Sequence, residues 1–561
     1  MTRALGRLLV LLLAVLVLVV CVVPLAQTIN TAFYAETAYG LSTARSVAAL
    51  LTVYTTGEYL GDLVEALILS VIVTILSLSL SVTMAFIMAR ARLRLAGLLD
   101  ILIIAPMFLS PFTGLIAWIV LASEETGFVN MAWRGVFGDG DALVNIWSYT
   151  GVVWVMALFF TPFAYLFTVN PLRSMDASLE EAARTAGASP LRSILHITLP
   201  MMVPAIFGAG MLIFVLAAEM YTIPGIIGAT AGFTTLPYQI YLDTTVSPVH
   251  LARAASGGTI LLWVTLVGIM IQRRVTRRSE RYVTIGGKGH RSRPIDLGSW
   301  RWAAYGLTWG YIICSVLLPM GALLVYSLMK YSSGRLGADV FSLVHYRNLF
   351  SLQATREALG NTLLLGILSG TICAALGTLI SFLELRTKGL LIIAVAFLAV
   401  LPVAVPGLVY GIGLSRTYLR TPLYGTIWVL LLAYIAKFLP YAIVVARTGI
   451  MQIGRELEES ARTCGANPAR VLARITLPLL KATLVSVLFF VMLMSIKELS
   501  ASVLLYSERG PILSVLIWSY MDSGNFQFAA AIGVIQSVIM VALVLVTRLI
   551  FHVRIEGPLA R

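Results

Sequence analysis

Charge is what this sequence has least of. Of its 561 residues only 12% are Asp, Glu, Lys or Arg, while 59% are hydrophobic. A soluble chain carries about 25% charged residues, so a water-facing surface over the whole protein is excluded. Cysteine is also scarce: Cys21, Cys314, Cys373 and Cys464 lie far apart with no paired spacing. That pattern gives neither a disulfide framework nor a thiolate metal site. The five histidines, His196, His250, His290, His345 and His552, are dispersed over loops and span ends, so they build no dedicated metal site. The phosphate-cradling pattern GxxxxGK[ST] is missing, and Gly286-Gly287-Lys288-Gly289 does not match it. The chain therefore carries no P-loop with which to hydrolyse ATP. Its apolar stretches also hold no Ser/His pair, HExxH or paired aspartates, which argues against an intramembrane enzyme.

What the sequence has instead is apolar runs of roughly 20 residues, enough to cross about 30 Å of hydrocarbon. Mean hydropathy is +0.92. The runs cover approximately 4–26, 63–89, 98–121, 146–172, 201–222 and 255–272, then 302–328, 361–385, 390–414, 425–446, 479–504 and 528–550. The reading is an all-α polytopic membrane protein of about twelve helices in two tandem halves. The halves are 1–272 and 302–561, joined by a linker at 273–301 with nine basic and two acidic residues. The formal charge of +14 does not indicate nucleic acid, because the basic residues sit between apolar runs and set orientation. Arg3/Arg7, Arg90/Arg92/Arg94, Arg173/Arg184/Arg192 and the linker fall on one side, and the acidic segments 27–62 and 122–145 on the other. Both termini are expected to be cytoplasmic. Arg3, Arg7 and the run Leu8–Val23 also suit a signal peptide, but a second copy of the pattern begins internally at Trp302, which favours a retained first helix.

The strongest signal is an internal repeat. Residues 181–200 read EAARTAGASPLRSILHITLP and 459–478 read ESARTCGANPARVLARITLP, identical at twelve of twenty positions without a gap. At the same offset of 278, Pro162-Phe163-Ala164 aligns with Pro440-Tyr441-Ala442. Chance similarity between apolar helices does not explain a match in a polar loop, so one half is a duplicate of the other.

Local chemistry sets the shape of the repeated loop. Asp176 and Ser178 are suited to cap a short helix through Glu181–Ala186, with Ser178 and Glu181 at capping-box spacing. Gly187 then takes the left-handed C-terminal turn, and Ser189-Pro190 reads as N-cap and first residue of a second short helix. Pro200 marks the start of the next span. Gly465, Asn467-Pro468 and Pro478 repeat each device. Each loop, 176–200 and 454–478, is thus a helix–turn–helix elbow lying on the cytoplasmic face. Its small side chains (Ala182, Ala183; Ser460, Ala461) surround a carboxylate (Glu181, Glu459), a surface that lets a partner approach closely.

The pattern EAA-x3-G-x9-I-x-LP at Glu181–Pro200 resembles the signature of permease subunits of binding-protein-dependent ABC importers. Glu459–Pro478 matches it with Ser460 in place of the middle Ala. The resemblance implies that the elbows are coupling helices seated in two copies of an ABC ATPase, which bind the ATP and magnesium that this chain does not. It also implies a periplasmic or lipid-anchored solute-binding protein on the outer face and residence in a bacterial or archaeal inner membrane. A fused pair of halves is similar to the ferric iron, thiamine, polyamine and phosphonate group. Glu498-Leu499-Ser500-Ala501-Ser502, Leu504–Ser507 and Leu513-Ser514-Val515 lean toward the ferric branch, as do Ile223-Pro224, Ile227-Gly228 and Gln239-Ile240-Tyr241. An ion-gradient-driven secondary transporter also has twelve helices in two halves, but it has no need of paired elbows.

Charged groups inside spans face a bundle interior or a cavity. Glu219 lies nineteen residues beyond Pro200 and Glu498 twenty beyond Pro478. Two readings stand: the pair lines a translocation path, or each acid binds helix-end amides or a lysine, with Lys497 adjacent to Glu498. Pro106/Pro111 and Pro402/Pro406-Gly407 mark kinked or interrupted spans, suited either to gating or to packing. Lys437, also inside a span, needs a partner that the sequence does not name.

Overall fold

The computed structural model describes residues 3–37, 40–138, 140–175, 178–279, 298–331, 338–387 and 389–551. Asp176, His290, His552, the Gly286–Gly289 stretch and most of the basic linker lie outside the described residues. Nine helices among those described are long and apolar enough to cross a membrane, and three bent helix pairs raise the total to twelve. Each falls on one of the apolar runs, as expected where backbone amides must be satisfied without water. One element departs from the all-helical reading. Tyr34–Thr37 and Gly40–Arg45 pair as an antiparallel hairpin. Its register sets Tyr34 opposite Arg45, whose guanidinium stands 4.2 Å from the Tyr34 ring centroid. Neither YAET nor GLSTAR alternates strictly between apolar and polar residues, so the period-two signal of a half-buried strand is absent from the sequence.

The described residues form two compact units, and these cut across the sequence repeat. The first contains the residues up to Thr56, Gln239–Leu262 and those from Val344 onward. At its centre the helix Gln353–Thr387 packs against Ile427–Met451 and Lys481–Ile496. The second contains Gly57–Tyr238 and Trp263–Leu343, with Gly57–Arg90 packed against Tyr149–Ser174 and Leu199–Ala218. Each unit thus takes its leading helix from the other repeat.

The two leading helices share a local device. Arg3–Val17 passes through a π turn at Leu18–Val22 into Val23–Thr31, and Arg301–Ile312 through a π turn at Ile313–Leu317 into Leu318–Ser327. Pro24 and Pro319 each follow two residues after the π turn. Proline has no N–H to give the carbonyl four residues back, so the turn widens and that carbonyl is left free. In the first unit the freed Val20 carbonyl accepts the Tyr410 hydroxyl at 2.5 Å, and Thr28 Oγ1 donates to the Val409 carbonyl at 3.3 Å. These bonds fasten the leading helix to Gly407–Tyr418. In the second unit Tyr311 donates to the Leu158 carbonyl at 3.2 Å.

Candidate functional site

The two repeated loops fold as matching elbows. The first runs through a helix at Ser178–Thr185, a turn, Pro190–Ser193 and a π turn at Ile194–Thr198 that opens into Leu199–Ala218. The second runs through Arg455–Thr463, Pro468–Val471 and a π turn at Leu472–Thr476. Gly187 and Gly465 both stand at φ +85°, the left-handed region that a side chain disfavours. The backbone N–H three residues past each first helix, at Ala188 or Ala466, donates back to the carbonyl of Ala183 or Ala461, at 2.9 and 3.0 Å. This is the closure of a Schellman turn. Ser189 Oγ accepts from Arg192 N–H at 3.3 Å and Asn467 Oδ1 from Arg470 N–H at 2.8 Å, so each second helix is capped by its side chain. The leucine–proline pairs that close the repeats follow π turns for the same reason as in the leading helices: Pro200 and Pro478 cannot donate.

Ala182, Gly187 and Pro200 of the first elbow are exposed and Ala183 is half-buried. Glu459, Ser460, Gly465 and Pro478 of the second are exposed and Ala461 half-buried. The side chains of Glu181, Pro190 and Pro468 lie outside those described.

Beneath these surfaces sits a pair of carboxylates that sequence reasoning overlooked. Glu180 is buried, with Arg90 Nη2 at 3.0 Å and Thr198 Oγ1 donating at 2.9 Å to the same oxygen. Glu458 is buried likewise. Arg386 Nε reaches both of its oxygens, at 3.1 and 2.9 Å, and Nη2 reaches one at 2.9 Å, while Thr476 donates at 3.4 Å. Arg90 ends the long helix Gly57–Arg90, and Arg386 stands one residue from the end of Gln353–Thr387. The signal was available: at the offset of 278 the repeat continues upstream through Leu179-Glu180 and Leu457-Glu458. The EAA pattern drew attention instead to the next residue, which faces outward in the second copy.

The proline-marked spans are broken. Ala96–Phe108 and Pro111–Ala122 meet at 99°, and Leu390–Ala404 and Gly407–Tyr418 at 116°. Pro111 opens its half-helix and buried Pro406 precedes the other. In the first unit Glu498 is buried, its two oxygens 2.8 Å from Lys437 Nζ, with Oε1 also accepting the Ala501 N–H at 3.1 Å. Lys437 is the partner that the sequence left unnamed. Gly407 makes room for it, since a Cβ there would stand 2.5 Å from Lys437 Nζ and 2.9 Å from Ser500 Cβ. Tyr434 and Ser502 share a hydrogen bond at 2.9 Å in the same buried layer. In the second unit Glu219 follows the end of Leu199–Ala218 and accepts from Thr265 Oγ1 at 3.3 Å. Phe159 occupies the place that the repeat assigns to Lys437. At that offset Glu219 itself falls on Lys497, one residue before Glu498, so the two acids match only to within a residue and Lys437 has no basic counterpart. Both halves carry elbow, clamp and broken span.

The chain matches the family described as binding-protein-dependent transport system inner membrane component twice, at residues 79–281 and 364–555. It belongs to that family. The two matches together exceed half of the 561 residues, and each contains one elbow. Among curated relatives, the ferric transport system permease protein FbpB of Actinobacillus pleuropneumoniae is 26% identical over 453 residues, covering 79% of this chain and 64% of that one. The chain thus spans less than two thirds of that relative's length. The Fe(3+)-transport system permease protein FbpB 2 of Haemophilus influenzae is 26% identical over 388 residues, covering 68% of this chain and 72% of the relative. The putative 2-aminoethylphosphonate transport system permease protein PhnV of Salmonella paratyphi A is 30% identical over 257 residues, 44% of this chain and 94% of the relative. The double match to one family agrees with a permease whose two halves are fused in one chain.

Proposed function

We propose that this chain is the membrane-spanning permease of an ATP-driven importer and that its elbows receive two ATPase subunits on the cytoplasmic face. The observation that carries the reading is the pair of elbows. They share one capped geometry, left-handed glycines at the same φ and a small-residue surface, although the rest of the two halves has diverged. A chain with no nucleotide loop needs its energy from outside, and paired elbows suit paired sources. A solute-binding protein would deliver cargo to the opposite face, and ATP-driven closure of the ATPases would rock the halves between outward and inward access. The broken spans with Pro111 and Pro406, together with Glu219 and Glu498, are the elements we assign to the translocation path.

Ferric iron is the cargo we favour, supported by the names of the two FbpB relatives, and carboxylates along the path suit a hard cation. A phosphonate is the second reading, supported by the relative PhnV. The test is co-expression with an ATPase and a binding protein encoded beside the chain, followed by purification and reconstitution in liposomes. The reading expects a stable complex and uptake of radiolabelled ferric iron that requires ATP. Uptake driven by an ion gradient without the ATPase would assign the chain to the secondary transporters and sink the proposal.

A further inference from the structure

Each elbow is tied to the membrane helices through one buried carboxylate. Glu180 lies on the first helix of its elbow, Arg90 at the end of the long helix Gly57–Arg90, and Thr198 in the π turn that leads into the following span. Glu458, Arg386 and Thr476 occupy the same three places in the second elbow. One carboxylate therefore joins the elbow to its own exit turn, 18 residues on, and to the end of a long helix far earlier in the chain.

An arginine buried at a helix C-terminus is stabilised by the carbonyl dipoles there, but its full charge needs a carboxylate. A solvent-exposed loop does not need such a tie to keep its shape, because the Schellman turn and the side-chain cap already fix the elbow. The ion pair instead governs how the elbow's position relates to the spans. A charge-assisted fork resists both sliding and rotation, whereas a hydrophobic contact allows either. Of the two copies, the second holds such a fork: Arg386 donates to both oxygens of Glu458, while Arg90 pairs by charge with a single oxygen of Glu180 at 3.0 Å.

We propose that Glu180 and Glu458 are positioning residues that carry motion from each elbow into the span that follows it and into the long span, Gly57–Arg90 or Gln353–Thr387, that ends at its arginine. The proposal rests on the reading of the elbows as ATPase docking sites. Force applied to the elbow reaches the end of Gly57–Arg90 or Gln353–Thr387 through the arginine and the start of the following span through the threonine. Without the carboxylate the elbow would move while the spans lag behind.

The experiment uses the complex of the full chain with its ATPase subunits. Spin labels are placed on Cys464, which is exposed, and on a Thr387→Cys substitution at the end of Gln353–Thr387, beside Arg386, with Cys21, Cys314 and Cys373 replaced by alanine. The distance distribution between the labels is measured with and without ATP. With the clamp intact, the distance should hold steady when ATP is added, because elbow and span move as one body. In Glu458→Gln it should widen only when ATP is present. Thr476→Val, a milder change that keeps the ion pair, should widen it less, and Thr476→Ser should restore the steady distance. A distribution that stays narrow in Glu458→Gln with ATP overturns the proposal. So does equal widening with and without ATP, which marks the pair as a fold contact only. Loss of ATPase subunits in the variants alone also overturns it, assigning Glu458 to docking. Failure of the unaltered chain to retain ATPase subunits overturns the docking reading, and the proposal with it.

Discussion

Lys437 Nζ stands 2.8 Å from both oxygens of Glu498, across 61 positions of sequence. The glutamate side chain is 9% exposed and the lysine 27%, so removing the lysine takes two charge-assisted hydrogen bonds from a buried carboxylate. Lys437→Met is expected to destabilise the protein by about 3 kcal/mol, the lower end of the range for breaking a buried pair, because the lysine is partly solvated. Replacing both partners, as in Lys437→Met/Glu498→Met, should recover most of that loss, since an apolar pair needs no desolvation. Thermal unfolding in detergent measures both. Equal destabilisation of single and double variants would show that the pair is not the unit of stability.

Gly407 should be coupled to the same pair. A methyl group at that position meets the ammonium at 2.5 Å, so Gly407→Ala must displace either Lys437 or its own half-helix. In a Lys437→Ala background that crowding is relieved, and Gly407→Ala should cost less there than in the unaltered chain. Contacting residues show coupling of about 0.5–3 kcal/mol in double-mutant cycles. Strict additivity in thermal unfolding would contradict the contact.

The elbow glycines separate strain from docking. Nothing lies within 4 Å of a Cβ added to Gly187 or Gly465, so alanine there meets only the left-handed penalty of about 1–2 kcal/mol. Gly187→Trp/Gly465→Trp adds bulk that projects away from the chain. The double tryptophan variant should insert and keep its helical content by circular dichroism, yet lose the ATPase subunits on copurification. Normal ATP-driven transport by that variant would remove the elbows from the docking surface.

Cys464 offers a test of sidedness. It is exposed beside Gly465, whereas Cys21 and Cys373 are buried and Cys314 is half-buried. A membrane-impermeant maleimide should label the protein in inside-out vesicles and not in right-side-out ones, and Cys464→Ser should abolish the labelling. Bound ATPase should slow the reaction. Labelling from the outside alone would reverse the orientation expected from the distribution of Arg and Lys.

Much of the site was legible because its determinants are local. Gly187, Ser189-Pro190 and Pro200, with their second copies, each act on the backbone within one turn, so their spacing announced the elbow and its caps. The prolines that break the spans act in the same way, by withholding a donor from the turn before them. The buried clamp was hidden, because Arg90 and Glu180 are joined by burial and charge rather than by spacing. The same holds for Lys437 and Glu498, where the adjacent Lys497 was the natural partner to choose from sequence.

What the sequence determined alone was the number and type of elements: apolar runs of membrane length, a duplicated half, and a capped polar elbow in each copy. These follow from hydrophobicity, repeat spacing and backbone chemistry, all read along the chain. Only the tertiary structure decided that each compact unit takes its leading helix from the other repeat, that Glu180 and Glu458 tie each elbow to its spans, and that Lys437 answers Glu498 in one half while Phe159 stands in its place in the other. A buried charge selects its partner by proximity in the folded state, and proximity there is set by packing between elements far apart in sequence.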